Sequence, residues 1–288
     1  MEYLIHIAIL VCIYGILGLS LNLVIGEAGL LNVTQAAFYG MGAYGAALLI
    51  TNYDINFFLA LLGGIIISAF GSLLIGLVLS RFRGDFYALG SFGFNVIVWS
   101  IMLNWQDVTH GPLGIPGIAR PALFGFTFSE NLTFLILAAV FLALVYGIST
   151  FITKSSFGRV LKALREDEEA ISVFGYATSY YKLVTFVISA SLAAIAGALF
   201  ASYITFIDPS SFSLNESIFL LSIVILGGLG SSRGAVMGAL FLIVLPEALR
   251  FVGFPPDVAA QMRQMVYGLI LILLMLYRPQ GLMGTFRM

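Results

Sequence analysis

Apolar runs of about 20 residues, parted by short polar breaks, repeat along the whole chain, which is the spacing of membrane-crossing helices. The runs are Tyr3–Ile25, Phe57–Leu79, Phe86–Leu103, Leu132–Ile152, Leu183–Phe206 and Ala235–Phe251, with a short run Ser217–Leu226 and a last span Met265–Tyr277. One further segment starts polar and glycine-rich, Gly26–Phe38, and turns apolar up to Ile50. Pro246 predicts a kink or break in Ala235–Phe251, because a proline inside a helix has no N–H to donate. Two segments share a form: Gly26–Gly45 and Gly227–Gly238 each interrupt an apolar run with glycines and resume as a small-residue helix. Interrupted crossings of this kind belong to inverted-repeat transporters, while the same glycines also serve close helix packing.

Against this background Ser155–Lys182 is the one long charged stretch. Phe157, Val160, Leu161 and Leu164 fall at i, i+3, i+4 and i+7 and give one apolar face. Ser155 or Ser156 is placed to cap the first turn, and Gly175 to end the helix in the left-handed conformation. The pattern predicts one amphipathic helix, Phe157–Phe174, outside the bilayer. The four consecutive acids Glu166–Glu169 read as a charged surface.

Composition agrees: 288 residues are 60% hydrophobic and 9% charged, with mean hydropathy +1.06, more apolar surface than a soluble domain buries. Continuous runs without period-two alternation exclude a β-barrel. The expectation is an all-α polytopic bundle of about 8–10 spans with broken helices, forming a single membrane domain 1–288 with a loop 153–182. The first run has no charged leader region or cleavage site and is expected to be retained. Placing the charged loop inside puts Arg81, Arg83, Lys154, Arg159, Lys162, Arg165, Lys182, Arg233, Arg278 and Arg287 on that side. Arg120, Arg250 and Arg263 then lie outside, a bias that predicts a cytoplasmic C-terminus. Net charge is −1 and no basic patch exists outside the loops, so nucleic acid is not an expected partner.

Several motifs tempt without carrying chemistry. Gly40-Met-Gly42-Ala-Tyr-Gly45 spells a dinucleotide fingerprint but lacks the strand before it. GGLGSSRG (Gly227–Gly234) lacks the Lys-Ser/Thr ending of a phosphate loop, and none of the three lysines follows a glycine. His6 and His110 stand apart from each other and from the single cysteine, Cys12, so neither a metal site nor a disulfide is expected. Ionisable groups near the runs are Glu27, Asp85, Glu216 and Glu247. Glu247 has Arg250 at i+3 as a local partner, and Asp85 stands beside Arg83 at an interface. Glu27 is different: with Asn22, Asn32, Thr34 and Gln35 it gathers at a helix break. That cluster either lines a pathway or forms a hydrated interfacial turn.

Three blocks resemble one family, the LivM-like branch of the branched-chain amino-acid ATP-binding-cassette permeases. They are LGLSLNLVIGEAGLLNVTQAAFYGMGAYGAALL (Leu17–Leu49), the loop and helix Phe157–Ala201, and IVILGGLGSSRGAVMGALFL (Ile223–Leu242). The resemblance implies a multi-pass permease of the cytoplasmic (inner) membrane, with no catalytic or cofactor site of its own and ATP held by partners. Those partners would be a sister permease, two cytoplasmic ATPase subunits and an external binding protein that selects the substrate. It also implies that Gly158, Ala163, Arg165, Glu166, Asp167, Ala170 and Gly175 belong to the loop that docks on the ATPase. Leucine, isoleucine and valine are the implied cargo. A related permease for urea, short amides or another amino acid stays open, as do a secondary transporter built on an intramembrane acid and a membrane-embedded enzyme.

Overall fold

A computed structural model describes residues 2–123, 126–250, 265, 268, 269, 272 and 281–284. The predicted Met265–Tyr277 run lies mostly outside the described residues. The Gly253–Asp257 loop, the Glu247–Arg250 side-chain pair and the side chains of Arg263, Arg278 and Arg287 lie wholly outside them.

The helices are α1 (Glu2–Asn22), α2 (Gln35–Tyr53), α3 (Phe57–Leu79), α4 (Asp85–Asn104), α5 (Gln106–Thr109), α6 (Asn131–Lys154), α7 (Ser156–Glu166), α8 (Glu168–Val173), α9 (Thr178–Ile204), α10 (Leu214–Gly227) and α11 (Ser232–Arg250). Among the described residues five stretches are long and apolar enough to cross a membrane: Glu2–Glu27, Phe57–Leu79, Asp85–Asn104, Asn131–Lys154 and Thr178–Ile204. The protein is a multi-pass helical membrane bundle. Its only described strands are two-residue pairs in the links: β1 (Ile115–Pro116) with β4 (Phe206–Ile207), and β2 (Ala122–Leu123) with β3 (Phe126–Thr127).

α1 is the central post, packed against α6, α9, α10 and α11. Beside it α2, α3 and α9 form a tight trio. The trio closes on small residues, because without hydrophobic drive in lipid helices gain most by approaching closely. A Cβ added at Gly42 would stand 2.3 Å from Ala194 Cα, and one at Gly197 2.2 Å from the Tyr39 carbonyl. The dinucleotide-like glycine string is therefore a packing face.

The crossings alternate. α1 ends beside α7, and α3 ends beside α8, where Lys182 Nζ donates to the Phe82 carbonyl at 3.1 Å. At the opposite end His6 meets Tyr203 at 2.6 Å, and Asn56 Nδ2 donates to the Ala122 carbonyl at 2.8 Å. Leu282 and Met283 donate backbone N–H groups to the Leu226 and Gly227 carbonyls, so this part of the C-terminal segment lies at the α7 end.

Two crossings are interrupted. From the α7 end, residues 28–34 run without helix before α2 begins in the buried interior. From the opposite end, a 3-10 turn at Pro209–Phe212 precedes α10. α10 has 14 residues, a rise of about 21 Å, short of the ~30 Å hydrocarbon layer, so the turn completes that crossing. This corrects the expected pairing of interrupted segments. The break lies before α10, whereas Gly227–Gly238 is a close helix-turn-helix in which a Cβ at Gly227 would stand 2.1 Å from the Gly234 carbonyl. Of the kink or break expected at Pro246, the break does not occur, since α11 continues as helix to Arg250. Neighbouring groups in a bundle absorb the missing hydrogen bond.

Candidate site for coupling and translocation

α6 turns a corner into α7 at Ser155, whose Oγ accepts from the Gly158 N–H at 3.3 Å. Gly158 is needed at that corner, since a Cβ there would stand 2.4 Å from the carbonyl oxygens of Ile152 and Thr153. The apolar stripe then divides. Leu161 and Leu164 are buried against the protein's own helices. Phe157, Val160 and Ala163 instead line an open groove of about 550 Å³, together with Ile171, Tyr176 and Tyr181. Phe157 stacks on Tyr181 with ring centroids 5.2 Å apart.

The predicted single helix is broken at Asp167, a correction with a local cause. Asp167 is extended (φ −156°), and its Oδ1 accepts from the Glu169 and Ala170 N–H groups at 2.9 and 3.0 Å. An aspartate that can cap a new helix competes with continuation of the old one. Gly175 ends α8 at φ +87°. The four acids are likewise more than a charged surface: Glu166 pairs with Arg165 at 3.4 Å and Glu169 with Arg83 at 3.2 Å. Glu168 lies 2.6 Å from Lys182 and 3.7 Å from Arg83, and Lys182 is only 1% exposed. Arg83 therefore serves α8, tying the α3–α4 corner to it.

The end of α1 opens into a π-helical turn, Leu23–Glu27, a local widening that recurs at functional sites. α7 grips this turn. Arg165 Nη1 donates to the Gly26 carbonyl, and Lys162 Nζ lies 3.7 Å from the fully buried Glu27 carboxylate. Gly29, at φ +69°, passes so close that a Cβ would stand 2.5 Å from Arg165 Cγ. On the other side of the turn Asn22 Oδ1 accepts from the Gly230 N–H at 3.0 Å. The break after α1 and the turn between α10 and α11 are thus in contact.

The five polar residues of that break do not form one cluster. Glu27 faces α7 and Asn22 faces Gly230, while Asn32 Oδ1 accepts from both Thr34 N–H and Thr34 Oγ1. Gln35 reaches into the bundle, where its Nε2 donates to Ser20 Oγ at 2.6 Å and Ser189 Oγ lies 3.4 Å from its Oε1. All five are buried.

Just above them the first turn of α2 is held by side chains of other helices. Ser217 of α10 accepts from the Ala36 N–H at 3.0 Å, Asn95 of α4 from the Ala37 N–H at 3.1 Å, and Ser91 from the Val33 N–H at 3.1 Å. Buried helix ends need such partners. Ser91, Asn95, Ser189 and Ser217 were not among the sequence candidates. Ser91 and Asn95 are single polar residues in an apolar run, and that isolation was the available signal; Ser189 and Ser217 stand near other polar residues and gave none.

Residues 3–275 match the family model described as branched-chain amino acid transport system / permease component. The high-affinity branched-chain amino acid transport system permease protein LivM of Salmonella typhimurium is 36% identical, over 98% of this chain and 70% of the relative. The protein of the same name from Escherichia coli is 37% identical over the same shares. The Escherichia coli permease protein LivH is 29% identical over 94% of this chain and 91% of its own length. No solved structure matches.

Proposed function

The chain belongs to the branched-chain amino acid transport permease family, and on that premise we propose that it is a transmembrane permease subunit of an ATP-driven importer of leucine, isoleucine and valine. It works in the cytoplasmic membrane with a sister permease, two ATPase subunits that hold the nucleotide, and an external binding protein that delivers the amino acid. Two distinct permease proteins carrying the same system name in Escherichia coli both match this chain, which supports a pair of unlike permeases. The α7 end faces the cytoplasm. Eight basic residues at that end (Arg81, Arg83, Lys154, Arg159, Lys162, Arg165, Lys182, Arg233), against Arg120 at the other, support that orientation among the described side chains.

The observation that carries the reading is the groove on α7. An apolar trough beside a charged helix, outside the spans and braced against α1, fits a protein partner that presents an apolar side chain. Arg159 stands at its rim. In this role α7 and α8 are the coupling element, with Ala163 at the contact, and the polar residues from Asn22 to Gln35 lie along the moving parts of the path.

The test is assembly and uptake with Ala163→Arg. The variant inserts and accumulates normally, because the site is outside the bilayer, but loses both the co-purifying ATPase and leucine uptake. Lys162→Arg, which keeps a cation near Glu27, stays near wild type in both. Normal assembly and uptake by Ala163→Arg would sink the coupling assignment. Uptake of urea in place of leucine by the intact importer would overturn the cargo alone.

A further inference from the structure

One buried acid is left over by this account. Glu216 lies in the first turn of α10, next to Ser217, with its stem partly exposed but its Oε1 fully enclosed. Its carboxyl takes a hydrogen bond from the Tyr14 hydroxyl of α1. Among the described residues Oε1 has no hydrogen-bond partner. Tyr14 lies near the middle of the first crossing, about 18 Å by helical rise from Glu2 and about 20 Å from Glu27. The carboxylate is therefore at mid-membrane depth.

The helix dipole of α10 favours an acid in this turn, which accounts for a carboxylate there but not for an orphaned oxygen. A second orphan accompanies it. The hydroxyl of Tyr39, a residue 1% exposed, is enclosed, has no hydrogen-bond partner among the described residues and lies within electrostatic reach of Glu216 and Tyr14. Around them is an aromatic wall: Tyr39 packs on Phe212 at 5.0 Å and Phe200 at 5.5 Å, and Tyr14 on Phe219 at 5.6 Å. An acceptor oxygen, a hydroxyl and ring faces together suit a primary ammonium group attached to an apolar body. An anion fits poorly, because Ser217 and Asn95 already take the Ala36 and Ala37 N–H groups of the neighbouring α2 turn. Asn215 and Ile218, adjoining Glu216 on α10, are exposed, so the place borders a face that the chain's own helices leave open.

We infer that Glu216 Oε1, with the Tyr39 hydroxyl, is the subsite that receives the α-ammonium group of the amino acid halfway through its crossing. The inference rests on the importer reading and adds the recognising group. Tyr14 is a positioning residue that aims the carboxylate.

The experiment uses the complete importer in proteoliposomes, with ATP at the ATPase side and leucine-loaded binding protein at the other, and follows leucine uptake and ATP hydrolysis together. Glu216→Gln is expected to lower uptake about tenfold or more while hydrolysis stays within about twofold, because the partners still dock and cycle. Glu216→Asp recovers part of the uptake, and Tyr14→Phe and Tyr39→Phe each reduce it by about two- to fivefold. Glu216→Gln transporting at the wild-type rate would overturn the subsite and leave the importer reading standing. So would a fall in uptake and hydrolysis together that Asp does not relieve, since that is the mark of a structural role. Leucine uptake that follows a proton gradient and ignores ATP would overturn both, with Glu216 then read as a proton carrier.

Discussion

Replacing Glu168 with alanine tests whether α8 is fastened to the bundle by a buried charge. Lys182 Nζ has two partners, Glu168 at 2.6 Å and the Phe82 carbonyl at 3.1 Å, and is 1% exposed. At an effective dielectric near 20 the charge pair is worth about 6 kcal/mol before desolvation is subtracted. Removing one partner of a buried pair costs about 3–5 kcal/mol, because the other charge is stranded. Glu168→Ala leaves the ammonium with one carbonyl, so about 3 kcal/mol is expected. Lys182→Met differs in kind. It strands Glu168, but that carboxylate is 18% exposed, keeps Arg83 at 3.7 Å and lies in the first turn of α8, so about 1 kcal/mol is expected. The assay is amide hydrogen exchange across Glu168–Val173 in nanodiscs, where opening free energy reads directly as rate. At 1.36 kcal/mol per decade, exchange speeds up about 150-fold in Glu168→Ala and about fivefold in Lys182→Met. High salt should change the wild type little, because the Glu168–Lys182 pair is shielded from solvent and the pairs of the exposed Arg83 are the ones open to screening. Glu168→Ala exchanging within about threefold of wild type, or the two variants in reversed order, would refute the reasoning.

Gly158→Ala, a single methyl, should weaken the α6–α7 corner by about 1–3 kcal/mol because its Cβ meets two backbone carbonyls, read as a lower unfolding temperature of the purified protein. On a background lacking Cys12, a cysteine at Ser156 should be shielded from an impermeant thiol reagent in intact cells while one at Ala119 is labelled; the reverse pattern would invert the proposed orientation. Asp208 has a titration of its own: burial raises its carboxyl, but hydrogen bonds from the Ser210 and Ser211 hydroxyls and the Ser211 N–H outweigh this and hold it below the ordinary value. A lowered folded pKa stabilises above the unfolded value, about 3.9, and the benefit disappears as pH falls through the folded one. The gap in unfolding temperature between wild type and Asp208→Asn should therefore be constant near neutrality and close below about pH 4.

What the sequence made legible was whatever rests on a local period or cap. The described apolar runs and the Ser155 cap are where their patterns put them, and the amphipathic loop is helical but broken at Asp167. The division of the apolar stripe was not legible, because periodicity defines a face and not what covers it: Leu161 and Leu164 meet the bundle, while Phe157 and Val160 meet an open groove. The Asp167 break had a signal, an aspartate followed by acids in a would-be first turn, hidden within a charged run. The Glu168–Lys182–Arg83 pairing had none, since the members are far apart in the chain. The interruption before α10 was written as Asp208-Pro209-Ser210-Ser211, which also spells an ordinary link. Phe212, buried against Tyr39 and Tyr44, and Pro209, whose carbonyl accepts from Trp99 Nε1 at 3.0 Å, show that this link enters the bundle.

In chain order α7 and α8 lie between two spans, α6 and α9, the nearest elements to which a docked loop could pass motion. The contacts favour a more direct route. α7 is fixed to α6 through the Ser155–Gly158 corner, but Arg165 and Lys162 also hold the π-helical end of α1, and α8 holds α9 and the α3–α4 corner through Lys182 and Arg83. α1 in turn meets the α10–α11 turn through Asn22 and Gly230. On the proposed reading, a push on the α7 groove reaches the break after α1 directly through Arg165 and Gly26, and the α10–α11 turn at one remove through Asn22 and Gly230. The π-helical turn leaves the regular α-helical ladder and runs into the non-helical residues 28–34, and on this reading it is where α1 yields. Rigid groups that meet at such yielding points move as bodies when one is displaced. The Glu27–Lys162 contact at 3.7 Å is then the joint between the helix that is pushed and the post on which the remaining helices are hung.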